Sequence, residues 1–106
     1  MQKQTKIYPV DRYWQVRASF NPERITIQIW FREALVITYR MERSNIPSDG
    51  IFSIQRYLRE NLLDEENGCL KGLNSEEIVT DEKAGIGSLT RVLEKASEAI
   101  HELQNE

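Results

Sequence analysis

An alternation of apolar and polar residues between Tyr13 and Glu42 is the feature that most constrains how this chain can fold. Successive side chains of a strand point to opposite faces of a sheet, so a period of two is typical of strands that bury one face. Asn21-Pro22-Glu23-Arg24 interrupts the alternation with residues that favour a turn. The pattern then resumes at Ile25, which indicates at least two strands in succession.

A first hairpin closed around residues 21–24 pairs apolar residues with apolar residues. Phe20 then faces Ile25, and Trp14 faces Phe31. A shift of one residue would place each apolar row against a polar row, so the hydrophobic pattern specifies this register.

A second hairpin closed around residues 32–34 continues the same pairing. Phe31 then faces Leu35, and on the opposite face of the sheet Trp30 meets Val36. The turn residues, Arg-Glu-Ala, include none of the glycine, asparagine or aspartate that tight hairpin turns favour.

The length of the stretch decides between two hairpins and one bent strand over 25–42. At ~3.3 Å per residue a single strand would be about 60 Å long, which is too long for a domain of this size. We therefore predict a three-stranded antiparallel meander. Its strands are expected at about 13–20, 25–31 and 35–42. Residues 1–12 include Pro9, which cannot donate to a ladder, and are expected to form an N-terminal arm or a short edge strand.

Apolar residues at helical spacing replace the alternation in the second half of the chain. Helices are expected at about 50–63 and 87–104, with a short one near 75–83. A meander followed by helices predicts a single α+β domain over 1–106, with the helices packed on the apolar face of the sheet. In the last helix the apolar residues repeat at spacings of three and four, as in a heptad seam. The residues that would either pack on the sheet or join two copies as a dimer seam are Leu89, Leu93, Ala96, Ile100 and Leu103.

The composition excludes several classes of protein. The chain has one cysteine, Cys69, so an internal disulfide and a metal site of several thiolates are excluded. No apolar stretch follows the N-terminal lysines, and no apolar run approaches the ~18–20 residues of a membrane span, so neither a signal peptide nor a membrane helix is expected. We expect a cytoplasmic protein that binds no cofactor and no metal.

Groups suited to catalysis are few. The chain has one histidine, His101, which would have to serve any Cys–His dyad or Ser–His–Asp triad. Ser97 and Glu98 precede it on the same predicted helix, where no pocket is expected. Cys69 is interpreted as an ordinary thiol, and Gly85-Ile86-Gly87-Ser88 lacks the lysine of a phosphate-binding loop. We therefore expect a protein without catalytic activity.

The polar face of the predicted sheet has the composition of a binding surface, because Trp, Tyr and Arg dominate the binding energy of many protein interfaces. The candidate partner-binding residues are Tyr13, Arg17, Trp30, Arg32, Val36 and Arg40. Three interpretations follow. The face is covered within the chain, or it binds a protein partner or a second copy, or it binds single-stranded nucleic acid. In the last case bases would stack on Trp30 and Tyr13, and the arginines would contact phosphates.

The distribution of charge favours a protein partner over nucleic acid. Residues 1–60 contain ten Lys and Arg against six Asp and Glu, a net charge of +4. Residues 61–106 contain four against eleven, a net charge of −7, which would repel a polyanion. The sequence therefore predicts an adaptor, assembly factor or inhibitor that binds a protein partner, and single-stranded nucleic-acid binding is the alternative.

Overall fold

The computed structural model describes residues 4–64, 69–70 and 86–105. Four strands precede the two long helices. The strands are β1 (Gln4–Pro9), β2 (Trp14–Phe20), β3 (Arg24–Phe31) and β4 (Ala34–Glu42). A 3-10 turn over Arg43–Asn45 leads to α1 (Ile51–Leu62), and α2 is Ile86–Leu103. Between the helices, the short strands β5 (Leu63–Asp64) and β6 (Cys69–Leu70) pair with each other. The short helix predicted near 75–83 lies outside the described residues.

The first four strands form one antiparallel sheet in chain order, which confirms the predicted α+β class and the meander. The sheet has four strands rather than the predicted three, because residues 4–9 pair with β2 along their whole length. Within the stretch 1–12, residues 4–9 form an edge strand, which was one of the two expectations for that stretch. Pro9 is the last residue of this edge strand, where proline is tolerated.

The first hairpin has the predicted register. Phe20 lies opposite Ile25, and Trp14 lies opposite Phe31. The carboxamide oxygen of Asn21 accepts hydrogen bonds from the backbone N–H groups of the second and third residues after it, at 2.9 and 2.8 Å. The asparagine side chain therefore builds the turn that the sequence indicated.

The second hairpin turns in two residues rather than three. Arg32 and Glu33 have φ angles of 52° and 74°, as in the type I′ turn whose twist matches that of the flanking strands. The turn therefore forms without the glycine or asparagine that usually adopts these angles. Phe31 pairs with Ala34, so its predicted pairing with Leu35 is wrong.

A β-bulge in β4 restores the predicted register beyond the turn. Trp30 lies opposite Leu35 and Ile29 lies opposite Ile37, which leaves Val36 as the extra residue. The predicted pairing of Trp30 with Val36 is therefore wrong by one residue, whereas the pairs from Ile37 onward are those predicted. Leu35 lies on the face of Trp30 and not on the apolar face.

One face of the sheet packs against α1 and α2 and forms the core. Burial alternates strictly along β2, as the sequence pattern predicted. The ring of Trp14 lies 4.7 Å from that of Phe31, measured between centroids. The largest fully buried side chains are Trp14, Ile25, Ile27, Ile29, Met41, Ile54, Leu58, Leu62, Leu89, Ile100 and Leu103.

The apolar repeat of α2 packs within the chain. This helix contacts α1 and the strands β1, β2 and β3, and it buries the whole repeat there. The most exposed member of the repeat is Leu93, at 3%. The interpretation of this repeat as a seam between two copies is therefore wrong. Packing within a single chain already buries Leu89, Leu93, Ala96, Ile100 and Leu103.

Replacing Glu33 with glycine is expected to stabilise the protein. A side chain in the left-handed region costs roughly 1–2 kcal/mol, and the greater freedom of glycine in the unfolded chain offsets roughly 0.5–1 kcal/mol of this gain. We expect the free energy of unfolding, measured by urea denaturation, to rise by about 0.5–1 kcal/mol. Glu33→Ala keeps the Cβ atom and should give no rise. Equal rises in both variants would mean that loss of the carboxylate, and not relief of the backbone, is responsible.

Candidate interaction surface

The face of the sheet opposite the helices, called the outer face below, carries the predicted binding residues. Paired residues of antiparallel strands point to the same face, so the register defines rows that cross all four strands. The central row contains Ile7, Arg17, Gln28 and Thr38. On one side of it lies the row of Pro9, Gln15, Trp30 and Leu35. On the other side lies the row of Thr5, Ser19, Thr26 and Arg40.

Arg17 and Trp30 form a stacked pair in the middle of the outer face. The guanidinium carbon of Arg17 lies 4.1 Å from the centre of the Trp30 ring, a favourable cation–π distance. The Nε of Arg17 donates a hydrogen bond of 2.6 Å to the carboxamide oxygen of Gln15. The Nε1 of Trp30 donates one of 3.2 Å to that of Gln28. Four neighbouring side chains therefore hold one another in place, with the guanidinium over one side of the indole ring.

Exposed apolar side chains flank this stacked pair on both edge strands. Ile7 of β1 is 57% exposed and lies beside Arg17. Leu35 of β4 is 47% exposed and lies opposite Trp30. Apolar side chains next to Trp and Arg are typical of the surfaces at which proteins bind one another.

The outer face is positively charged. Its strand residues include three arginines, Arg17, Arg24 and Arg40, and one carboxylate, Glu42. Glu42 is paired with Arg24, whose Nη2 lies 2.6 Å from its Oε1; both are about half exposed, so this pair adds about 0–1 kcal/mol. No carboxylate of the described residues forms an ion pair with Arg17 or Arg40. Their positive charge therefore favours an anionic partner.

The other three predicted residues lie at one end of the sheet. The Tyr13 ring contacts that of Phe31 at 6.3 Å, and the guanidinium carbon of Arg32 lies 5.3 Å from the Tyr13 ring centre. The backbone N–H of Arg32 donates a hydrogen bond of 2.8 Å to the carbonyl of Tyr13. Val36 is half-buried at the bulge. Tyr13 and Val36 both pack against the hydrophobic core, and Arg32 contacts the rings of Tyr13 and Phe31, so these three residues lie apart from the stacked pair.

The sequence pattern did not indicate Ile7 or Leu35 as surface residues. Ile7 belongs to a segment whose short alternation, from Thr5 to Pro9, was too brief to separate a strand from an arm. Leu35 falls on the outer face only because the turn is one residue shorter than predicted.

Among the side chains that the structure describes, Ser97, Glu98 and His101 make no hydrogen bond or ion pair with one another. Ser97 is buried, and its hydroxyl donates a hydrogen bond of 2.7 Å to the carbonyl of Leu93. Glu98 pairs with Lys95 at 3.2 Å, and His101 lies on the exposed side of α2. The side chain of Cys69 lies outside the described residues.

Three further observations bear on ligands and relatives. Within residues 4–64, 69–70 and 86–105, no group of three or more His, Cys, Asp and Glu side chains is placed to bind a metal ion. In the same part of the chain, no helix has both the length and the apolar character needed to cross a membrane. Comparisons with protein-family models, with curated proteins and with solved structures find no match to this chain.

A tyrosine pair joins the helix side of β4 to α1. The Tyr39 hydroxyl donates a hydrogen bond of 3.2 Å to that of Tyr57. Burial raises the pKa of Tyr39 above its ordinary value, and the interaction with Tyr57 raises it further. The neutral form of Tyr39 is therefore favoured by folding.

The protein should lose stability in alkaline solution more steeply than its Tyr39→Phe variant. Because the pKa of Tyr39 is higher in the folded than in the unfolded protein, Tyr39 contributes to the free energy of unfolding. This contribution is complete below the unfolded pKa of about 10 and is lost as the pH rises above that value. The free energy of unfolding, measured in urea between about pH 8 and about pH 11, should therefore converge between the two proteins. Parallel pH profiles would contradict the assignment to Tyr39.

Proposed function

We propose that this protein has no catalytic role and binds an acidic, partly apolar segment of a protein partner on the outer face of its sheet. The observation that carries the proposal is the stack of Arg17 on Trp30, with exposed apolar residues on both sides. Trp and Arg are the residues that most often supply the binding energy of an interface. An adaptor, an assembly factor or an inhibitor would use such a surface.

The stacked pair is ordered before any partner arrives. Fixing a long side chain on binding costs about 0.5–1.5 kcal/mol, which reduces the affinity that the contacts could otherwise give. The hydrogen bonds from Arg17 to Gln15 and from Trp30 to Gln28 already restrict both side chains. A partner that docks here therefore loses less free energy to the ordering of this surface.

The arginines define what the partner must present. Arg17 and Arg40 lie two strands apart and in adjacent rows. Strands are spaced about 4.8 Å apart and residues rise about 3.4 Å along a strand, so their Cα atoms are separated by roughly 12 Å. A partner with two carboxylates at a comparable spacing and an apolar side chain between them would match this surface.

The same geometry favours a protein over single-stranded nucleic acid. A base stacks on the open side of an aromatic ring, whereas the guanidinium of Arg17 already covers one side of Trp30. The ring of Tyr13 is engaged with Phe31 and Arg32. The isoelectric point of 5.3 also disfavours a polyanion.

Selection of peptides from a random display library on the immobilised protein tests this proposal. We expect the selected peptides to combine Asp or Glu with apolar residues. By fluorescence polarisation, Arg40→Glu should weaken their binding about tenfold or more, because it reverses the charge of one of the two arginines that the carboxylates of the peptide would contact. Arg56→Glu makes the same change on the exposed side of α1 and should leave the affinity within about twofold.

Two results would overturn the proposal. Equal losses in Arg40→Glu and Arg56→Glu would mean that net charge, and not the outer face, controls binding. Binding of a mixed-sequence single-stranded oligonucleotide that weakens steeply with salt, and is lost in Arg40→Glu, would assign the face to nucleic acid instead.

A further inference from the structure

We infer that the open edge of β4 pairs with β4 of a second copy, so that two chains form one continuous antiparallel sheet. Within residues 4–64, 69–70 and 86–105, β4 lies at the end of the strand order, with β3 on one side only. The outer face stays uncovered in this arrangement, so the inference is independent of the proposed function.

The backbone groups of β4 that point to the open edge follow from the ladder with β3. The N–H of Arg43 donates a hydrogen bond of 3.0 Å to the carbonyl of Glu23, directly beyond the two strands. Such bonds recur at every second residue of an antiparallel pair. The odd-numbered residues of 37–41 therefore bond to β3, and the N–H and C=O groups of Thr38 and Arg40 point outward. Among the described residues, no backbone hydrogen bond from outside the sheet reaches β4.

The two edges of the sheet differ in how well they are protected against pairing. β1 has six residues, contains Lys6 and ends with Pro9, and both residue types protect natural edge strands. β4 has nine residues and contains no proline, glycine or lysine. Its bulge at Val36 lies near the turn and leaves the following residues in regular pairing with β3. β4 is therefore the edge that can accept another strand.

The sequence of β4 is complementary to itself in antiparallel register. With Thr38 on the two-fold axis, Ile37 lies opposite Tyr39 of the second copy. Arg40 then lies opposite Val36 of that copy, and away from the second Arg40. An axis perpendicular to the sheet keeps the helices of both copies on the same side, so the two apolar faces become continuous.

On the helix side of β4, Ile37 and Tyr39 are only partly buried within the chain, although Met41 of the same strand is 2% exposed. On the helix side of the sheet, residues such as Val16 and Ile27 have no exposed surface. Ile37 and Tyr39 point to the same side but are only half-buried. A second β4 would cover them with the same two residue types, as β2 and β3 cover each other in the interior of the sheet.

Sedimentation velocity of the full chain over a concentration series tests this inference. The wild type should approach twice the monomer mass of 12.4 kDa as its concentration rises. Thr38→Pro removes an outward N–H and leaves the ladder to β3 intact, so this variant should stay at 12.4 kDa. Thr38→Val keeps the N–H and the branched shape of the side chain and should behave as the wild type.

A wild type that stays monomeric at every concentration would overturn the inference, and so would a Thr38→Pro variant that dimerises as well as the wild type. Circular dichroism shows whether Thr38→Pro is folded. If Thr38→Pro is unfolded, hydrogen exchange of the wild-type amides tests the pairing of β4 instead. The amides of Thr38 and Arg40 should exchange at least about tenfold more slowly at high than at low concentration. Equal exchange rates would exclude pairing at this edge.

Discussion

Burial of every second residue of β2 and β3 against α1 and α2 is the interaction on which the rest of this structure depends. Each large apolar side chain that is fully buried there contributes about 1.5–3 kcal/mol. Because side chains alternate along a strand, the same burial also determines which residues point away from the helices. The outer face, with Arg17 and Trp30 at its centre, is therefore a direct consequence of the register of the core.

Most of the fold could be predicted because the apolar pattern is long and regular. The register of the first hairpin and the approximate bounds of both long helices agree with the structure. The second turn could not be predicted in detail. The left-handed angles of Arg32 and Glu33 are unfavourable locally and are imposed by the pairing of the flanking strands. The bulge at Val36 restores the register that the shorter turn would otherwise shift by one residue. Neither the shorter turn nor the bulge can be recognised from the alternation of apolar and polar residues.

The heptad-like repeat of α2 shows a different limit. Over fewer than three heptads, the spacing of a coiled-coil seam and that of a helix packed on a sheet are nearly the same. Burial of Leu93 and Ile100 in the core distinguishes the two, and this information lies in the other elements of the chain. The alternation of side chains along a strand determines which face each residue lies on. The positions of Arg17, Trp30 and Arg40 on the outer face could therefore be predicted from the sequence. The stacking of Arg17 on Trp30 depends on side-chain conformations, which the spacing of apolar residues in the sequence does not determine.

The sheet is expected to have one face that forms the core and one that is free to bind a partner. Replacing each of the two tryptophans of the chain with alanine tests this most directly. Trp14 is 1% exposed, so Trp14→Ala should lower the free energy of unfolding by about 3–5 kcal/mol. Trp30 is only half-buried, so Trp30→Ala should cost about 1 kcal/mol, most of it from the contact with Arg17. Urea denaturation of both variants measures the difference. An equal loss in the two variants would show that Trp30 is a core residue, and the outer face would then not be a binding surface.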